Sequence, residues 1–240
     1  MNKNPFSNAA SVALDDPFRP GAHVSSSARV YDEIRARIIS LDMPPGSTLV
    51  RSELAEQFDV SQSPVREAIL RLEQDGLVIS YPQSRTVVTH IDVSRVREEH
   101  FLRMAVECEV VRRLAANPNS ETMLKAKGIL KMQAALVDDV EQTALFKQLD
   151  EAFHETLFAG VDQSNLHRQI TARCGHLARV RTVDLPRAGK MTAVYEGHQA
   201  VLDAVEAGDG DSAARMMREH LSGSMQRLPQ IVEDHPELFS

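Results

Sequence analysis

At 240 residues, with 42% hydrophobic and 25% charged side chains, the chain is long enough to bury a core in two modest domains or one large one. A net charge of −7 and a pI near 5.7 exclude a protein that coats nucleic acid or anionic membrane along its whole surface, while leaving room for local basic patches. The two cysteines, Cys108 and Cys174, stand far apart and outside any Cys-x-x-Cys, which points to a reducing compartment and no disulfide framework. No apolar run approaches the ~18 residues of a membrane span. The opening stretch "MNKNPFSNAASVALDDPFRPGAHV" lacks the continuous apolar segment of a secretory signal. Its Asn, Ser and Pro content predicts a flexible arm over residues 1–24, and the expected location is cytoplasmic.

From Ser27 to Ser40, "SARVYDEIRARIIS" places Val30, Ile34 and Ile38 on one helical face. "DMPPG" ends that helix, because two prolines and a glycine cannot continue it. Two short helices follow. Ser52 is expected to cap the first, which carries Leu54 and Phe58, and "DVSQS" is the turn. Ser63 is expected to cap the second with Pro64 at its first position, Ile69 and Leu72 on its apolar face and Gly76 at its end. "LVISY" and "RTVVTHI" are strand-like and joined by "PQS". Residues 25–92 therefore read as a winged helix-turn-helix with a small β-hairpin wing.

After Ile91 the signal is almost wholly helical. The spacing predicts helices over 94–116, 120–138, 141–160, 164–184, 190–207 and 211–228, broken at "NPNS", "DDV", "GVDQS", "DLPRAGK" and "AGDGD". Short connections imply antiparallel neighbours in an all-α bundle over 93–228, followed by a polar tail, 229–240, with Pro229 and Pro236. The fold class is mainly α, with the β-hairpin as its minor part.

The stretch "SQSPVREAILRLEQDGLV", with "PPGSTLVRSELAEQF" before it and "YPQSRTVV" after it, resembles the signature of the GntR superfamily of bacterial transcription regulators over about residues 28–90. The resemblance implies that the second motif helix enters the major groove and that its N-terminal residues and the wing touch DNA. The residues agree with this. A helix N-terminus offers free N–H groups to phosphate, and Ser61, Gln62 and Ser63 are short polar groups at that end. Arg66 lies one turn in, within reach of guanine or phosphate. Arg51, before the first motif helix, and Arg85, on the wing, are further candidates. The family often carries arginine where Gln62 stands and glycine where Arg85 stands. Gln favours adenine in bidentate pairing, and an arginine at the wing tip suits the minor groove. Seven basic side chains face ten acidic ones over Ser25–Asp92, so the electrostatic footprint on DNA must be local. An arginine on a short helix is also often merely solvated, and Ser63 can serve only as a cap.

Further along, Phe146, Leu149, Phe153 and Leu157 follow the spacing of a buried stripe, and Asp150 and His154 lie within it. A carboxylate buried without a partner costs several kcal/mol, so Asp150 needs a hydrogen-bond partner or a metal. His198 sits on the apolar face of Val194, Val201, Leu202 and Val205, and His220 on that of Met216, Met217, Leu221 and Leu228. One inward histidine is most often a satisfied core residue, whereas three imidazoles and a carboxylate form a donor set for zinc first, or for nickel, iron or manganese. His176 is the rival ligand.

Residues 94–228 resemble the FCD ligand-binding domain of the FadR-like branch, whose members carry an Asp-x-x-x-His pair and two later histidines. Asp150, His154, His198 and His220 match that pattern. The resemblance implies a metal in the bundle that helps hold a carboxylate effector, with Arg103, spaced four residues from Glu107, as an effector contact. Arg173, on the stripe of Leu166, Ile170 and Leu177, and Asn165 are further effector candidates. Plainer readings are an intrahelical pair for Arg103, a snorkelling side chain for Arg173 and a helix cap for Asn165.

The expected protein is a homodimeric repressor, not an enzyme. It reads a pseudo-palindromic operator with half-sites about one helical turn apart and answers to a small organic acid. The competing readings are a helical-bundle metalloenzyme with an accessory DNA-binding-like module, a regulator whose signal is the metal itself, and a purely structural metal.

Overall fold

A computed structural model of the protein describes residues 25–81 and 85–240. The arm expected over 1–24 lies outside the described residues. α1 (Ser26–Ser40) begins at Ser25, whose hydroxyl accepts the Ala28 N–H at 3.2 Å. Its Val30, Ile34 and Ile38 are fully buried. Leu41, in the left-handed region at φ 68, ends the helix ahead of the prolines.

The motif helices are α2 (Arg51–Gln57) and α3 (Gln62–Gln74). Each begins earlier than expected, so Ser52 and Ser63 lie inside the first turns and neither caps a helix. Pro64 is still tolerated, because the first four N–H groups of a helix have no intrahelical partner. Gly76, at φ +72, turns the chain out of α3. β1 (Thr48–Leu49), β2 (Val78–Ser80) and β3 (Thr86–Val88) form an antiparallel sheet in the order β1-β3-β2, with Val78 opposite Val88 and Thr48 opposite Val87. β1 spans two residues, too few for alternation to be read from sequence. Leu49, Val78 and Val88 close the core formed by α1, α2 and α3.

The second half comprises α4 (Val93–Ala116), α5 (Ser120–Ala134), α6 (Thr143–Ala159), α7 (Ser164–Arg173), α8 (Gly175–Asp184), α9 (Lys190–Glu206) and α10 (Gly210–Asp234). Asp92, Asn119 and Asp209 cap α4, α5 and α10 through their side chains. Val111, Leu114, Phe153, Leu157, Phe158, Leu202 and Met217 fill the core between them.

Three helices of this half depart from their expected bounds, and the first, expected over 120–138, ends at Ala134. The helix expected over 164–184 breaks at Cys174 into α7 and α8. The cause is Glu99 of α4. Its carboxylate accepts the His176 and Leu177 N–H groups at 3.3 and 2.7 Å and so caps a new helix start at Gly175. The last helix does not stop at residue 228 but runs through Pro229 to Asp234. An internal proline costs about 3 kcal/mol. The burial of Leu228 and Ile231 against Ile91, Val96, Leu177 and Val180 offsets it at roughly 1.5–3 kcal/mol for each large side chain.

The winged domain docks on α8. A Cβ at Gly175 would lie 2.6 Å from Leu77 Cδ2, so glycine permits the close approach. The fully buried Arg179 donates to the Thr89 carbonyl at 2.6 Å, and Thr182 Oγ1 donates to the Ile39 carbonyl at 2.8 Å. The end of the chain also reaches the linker. Ile91 N donates to the Leu238 carbonyl at 2.8 Å, and Ser240 N donates to the Ile91 carbonyl at 3.2 Å.

Candidate metal centre and DNA-reading surface

α6 carries Asp150 and His154 on one face, one turn apart, because residues four positions apart on a helix are neighbours. α9 supplies His198 and α10 supplies His220. One ligand atom from each of the four lies within 4.8 Å of the others. His154 Nε2 and His220 Nε2 are 3.3 Å apart, and His198 Nε2 is 3.6 Å from Asp150 Oδ1. Asp150, His154 and His198 are buried and His220 is half-buried. Gly197 lets α9 lie against α10, since a Cβ there would be 2.8 Å from His220 Nδ1.

Outer partners orient the rings. Glu107 Oε2 lies 2.5 Å from His154 Nδ1, and Glu107 Oε1 accepts from Arg103 Nε at 2.6 Å. Gln133 Oε1 is 2.9 Å from His198 Nδ1, and Phe153 stacks on the His198 ring at 4.0 Å between centroids. A carbonyl oxygen at Nδ1 requires an Nδ1–H, so the neutral His198 ring turns its Nε2 lone pair inward. That Nε2 is buried and has no hydrogen-bond partner among the described residues.

The charge states match this arrangement. Burial opposes ionisation of Asp150, yet Arg181 and the three surrounding imidazoles hold its carboxyl well below the usual range. Burial pushes His220 down to about 3, with His154 adding to the push, and drives His198 well below its ordinary value. Three imidazoles and a carboxylate, with an orphaned inward nitrogen, fit a divalent transition metal.

A cavity of about 390 Å³ adjoins the cluster, with Asp150 and His220 in its wall. Arg103 and Arg181 line it too, and Arg181 donates to Asp150 Oδ2. The volume suits a small organic molecule. Sequence reasoning missed Arg181, Gln133 and the Glu107–His154 contact. Arg181 had no distinguishing signal, being one of two arginines on α8.

Other expected residues fall elsewhere. Arg173 and Asn165 are exposed and do not line the cavity. The break at Cys174 removes Arg173 from the stripe that runs on to Leu177. Asn165 Oδ1 accepts from Arg168 at 3.3 Å. His176 is no part of the cluster. Its Nδ1 accepts the Asp92 N–H at 3.0 Å and its Nε2 faces the Gly76 carbonyl at 3.2 Å, on the seam between the two halves.

Arg51, Ser61, Gln62, Ser63, Arg66 and Arg85 are all exposed. Ser61 stands at the N-cap position of α3 and makes no capping bond, so its hydroxyl is free for another partner. Gln62 and Ser63 form the first turn, Arg66 lies in the next, and Arg51 opens α2. Arg85 precedes β3 with its guanidinium 5.9 Å from the Tyr81 ring centroid. Among the described residues no helix is long and apolar enough to cross a membrane.

A winged helix-turn-helix docked on an all-α domain defines a class of DNA-binding transcriptional regulators. The chain belongs to the gntR family of bacterial regulatory proteins, whose model matches residues 26–88, and it carries an FCD domain, matched over residues 100–223. It is 33% identical over 211 residues to an HTH-type transcriptional regulator in an unstable DNA locus of Streptomyces ambofaciens, covering 88% of each chain. It is 28% identical over 212 residues to the HTH-type transcriptional repressor RspR of Escherichia coli K12, covering 88% of this chain and 92% of that one. In fold it is similar to E. coli McbR/YncC, with a TM-score of 0.70 at 20% identity, covering 88% of this chain and 99% of that one. FCD domains in this family often bind metal, and GntR regulators bind DNA operators and typically act as dimers.

Proposed function

We propose that the protein is a cytoplasmic, homodimeric repressor whose hold on its operator is set by a small carboxylate at a metal centre. The observation that carries this reading is the reach of the cavity to the cluster. Asp150 and His220 belong both to the donor set and to the cavity wall, so a molecule in the cavity meets the ion. Zinc is the favoured ion, with nickel, iron and manganese as alternatives. A divalent ion held by Asp150, His154, His198 and His220 supplies open coordination positions for a carboxylate oxygen. Arg103 and Arg181 add positive charge to the same wall and favour an anion. On the DNA side, Ser61, Gln62, Ser63 and Arg66 present the α3 end to the major groove, with Arg51 and Arg85 beside it. Two copies read a pseudo-palindrome. On this reading the protein is a sensor that returns its ligand unchanged, in keeping with relatives that are transcriptional regulators.

The test is a thermal-shift screen of carboxylates on metal-loaded and chelator-stripped protein, followed by fluorescence anisotropy on the protein's own upstream DNA. A ligand at ~100 times its Kd adds about 2.7 kcal/mol. The expected hit disappears on stripping and weakens DNA binding when metal is present. Melting that no carboxylate changes in either state overturns the reading.

A further inference from the structure

The cavity is walled by both halves of the molecule. Arg35, Ala36, Ile39 and Ser40, all on α1 of the winged domain, share its lining with Asp150 and His220. Five cationic side chains line it: Arg35, Arg103, Lys147, Arg181 and Lys190. Three of them have carboxylate partners, as Arg103 pairs with Glu107 at 2.6 Å, Arg181 with Asp150, and Lys190 with Asp184 at 2.9 Å. Among the described residues, Arg35 and Lys147 pair with no carboxylate.

Their partners are neutral oxygens. One terminal nitrogen of Arg35 donates to the Thr171 carbonyl, and its Nε is buried with no hydrogen-bond partner among the described residues. Lys147 Nζ donates to Thr182 Oγ1 at 2.6 Å. Both cations are half-buried, where a charge lacking a counter-charge is costly. The cost is visible at Lys147, which burial pushes down to about 8, with Arg181 adding to the effect and the nearby Asp150 and Glu151 carboxylates only partly opposing it. An anion in this part of the cavity would meet two donors already in place. They also stand at the docking seam. Thr182, which receives the Lys147 N–H, itself donates to the Ile39 carbonyl of α1, and Arg35 reaches from α1 to α7.

We propose that the effector is a dianion whose first carboxylate goes to the Asp150–His220 end of the cavity, while Arg35 and Lys147 hold its second anionic group. This rests on the carboxylate reading above and extends it: the DNA-reading domain itself contributes a ligand to the effector. One bound molecule then grips α1 and α6 together, so its binding energy depends on how the reading head sits on the sensor half.

Isothermal titration of the full-length, zinc-loaded protein tests this, with glutarate against butyrate, adipate against hexanoate, and 2-phosphoglycolate. Diacids are expected to bind about tenfold or more tightly than monoacids of equal chain length, the effect of one added charge-assisted contact. Arg35→Gln and Lys147→Gln are each expected to remove that preference. Both should keep zinc and monoacid binding, which also shows that they fold. A preference for 2-phosphoglycolate over glutarate that Arg35→Gln abolishes keeps the site and assigns its second group as phosphate. Monoacids binding as tightly as diacids, or a diacid preference that survives in both variants, overturns the dianion proposal alone. Binding by neither class overturns the carboxylate reading and this proposal with it.

Discussion

Glu107 Oε2 lies 2.5 Å from His154 Nδ1, and both side chains are almost wholly buried. The same carboxylate pairs with Arg103 at 2.6 Å. Glu107 thus serves two masters, a ring of the donor cluster and a cation of the cavity wall. Burial opposes its charge, but Arg103 and His154 together hold it well below the usual carboxylate range.

Glu107→Gln is therefore expected to lower metal affinity by roughly 10–100-fold, the usual effect of removing an outer partner of a ligating histidine. Competition against a chelating dye measures it. Affinity equal to wild type would mean that Glu107 serves only Arg103.

Gly197→Ala separates stability from metal binding. Inside a helix, alanine is about 1 kcal/mol better than glycine. Here its Cβ would sit 2.8 Å from His220 Nδ1, closer than two such atoms can remain, so His220 must move. The expected variant melts within a few degrees of wild type when metal-free, yet binds metal at least about tenfold more weakly. Unchanged metal affinity would place His220 outside the coordination set.

On the DNA side, Arg66→Ala is expected to cost about 1–3 kcal/mol on the operator. If Arg66 reads a base, the loss is confined to the operator. If it holds a phosphate, binding weakens alike on all sequences and the salt slope falls by about 1. Gln62→Ala should instead relax preference at one adenine position. Anisotropy titrations at several salt concentrations, on operator and scrambled DNA, distinguish these outcomes. Unaltered affinity on both DNAs would remove Arg66 from the interface.

His176 makes the seam pH-sensitive. Burial, with Arg179 and Arg95 nearby, pushes its ring down to about 4 from the ordinary 6.5, while Asp92 and the Gly76 carbonyl partly oppose this. Unfolded protein therefore binds the extra proton first as pH falls below 6.5, and stability declines towards pH 4. Glu99, which burial raises to about 7, works the other way: the folded state takes up its proton first, and stability grows as pH falls. The readout is accordingly the difference between wild type and His176→Asn. Between pH 7 and 4 the wild type should lose up to about 3 kcal/mol more than the variant. Parallel melting curves across that range would contradict it.

Much of this was legible in the sequence, for local reasons. The α3 stretch sits on one short helix, and Asp150 and His154 share a helix face by spacing alone. His198 and His220 each betrayed themselves as polar groups on apolar stripes. What stayed hidden came from elsewhere in the chain. Glu99 breaks the helix at Cys174 from another element, so the stripe that the sequence predicts through Arg173 to Leu177 does not form. Gln133 and Arg181 reach the cluster from α5 and α8, and nothing on their own helices marks them. The same holds for Arg35, whose neighbours on α1 read as an ordinary amphipathic helix.

The bond pair at Ile91 has a consequence for how the molecule is made. Domains emerge and fold roughly in chain order during synthesis. The buried residues of the winged domain's own core all lie between Val30 and Val88. The hydrogen bonds to the Ile91 backbone from Leu238 and Ser240 come from far later in the chain. The reading head can thus be finished early while its mounting is set late. A bulky fusion that draws Leu238 and Ser240 away from Ile91 would leave two sound domains on a loosened joint.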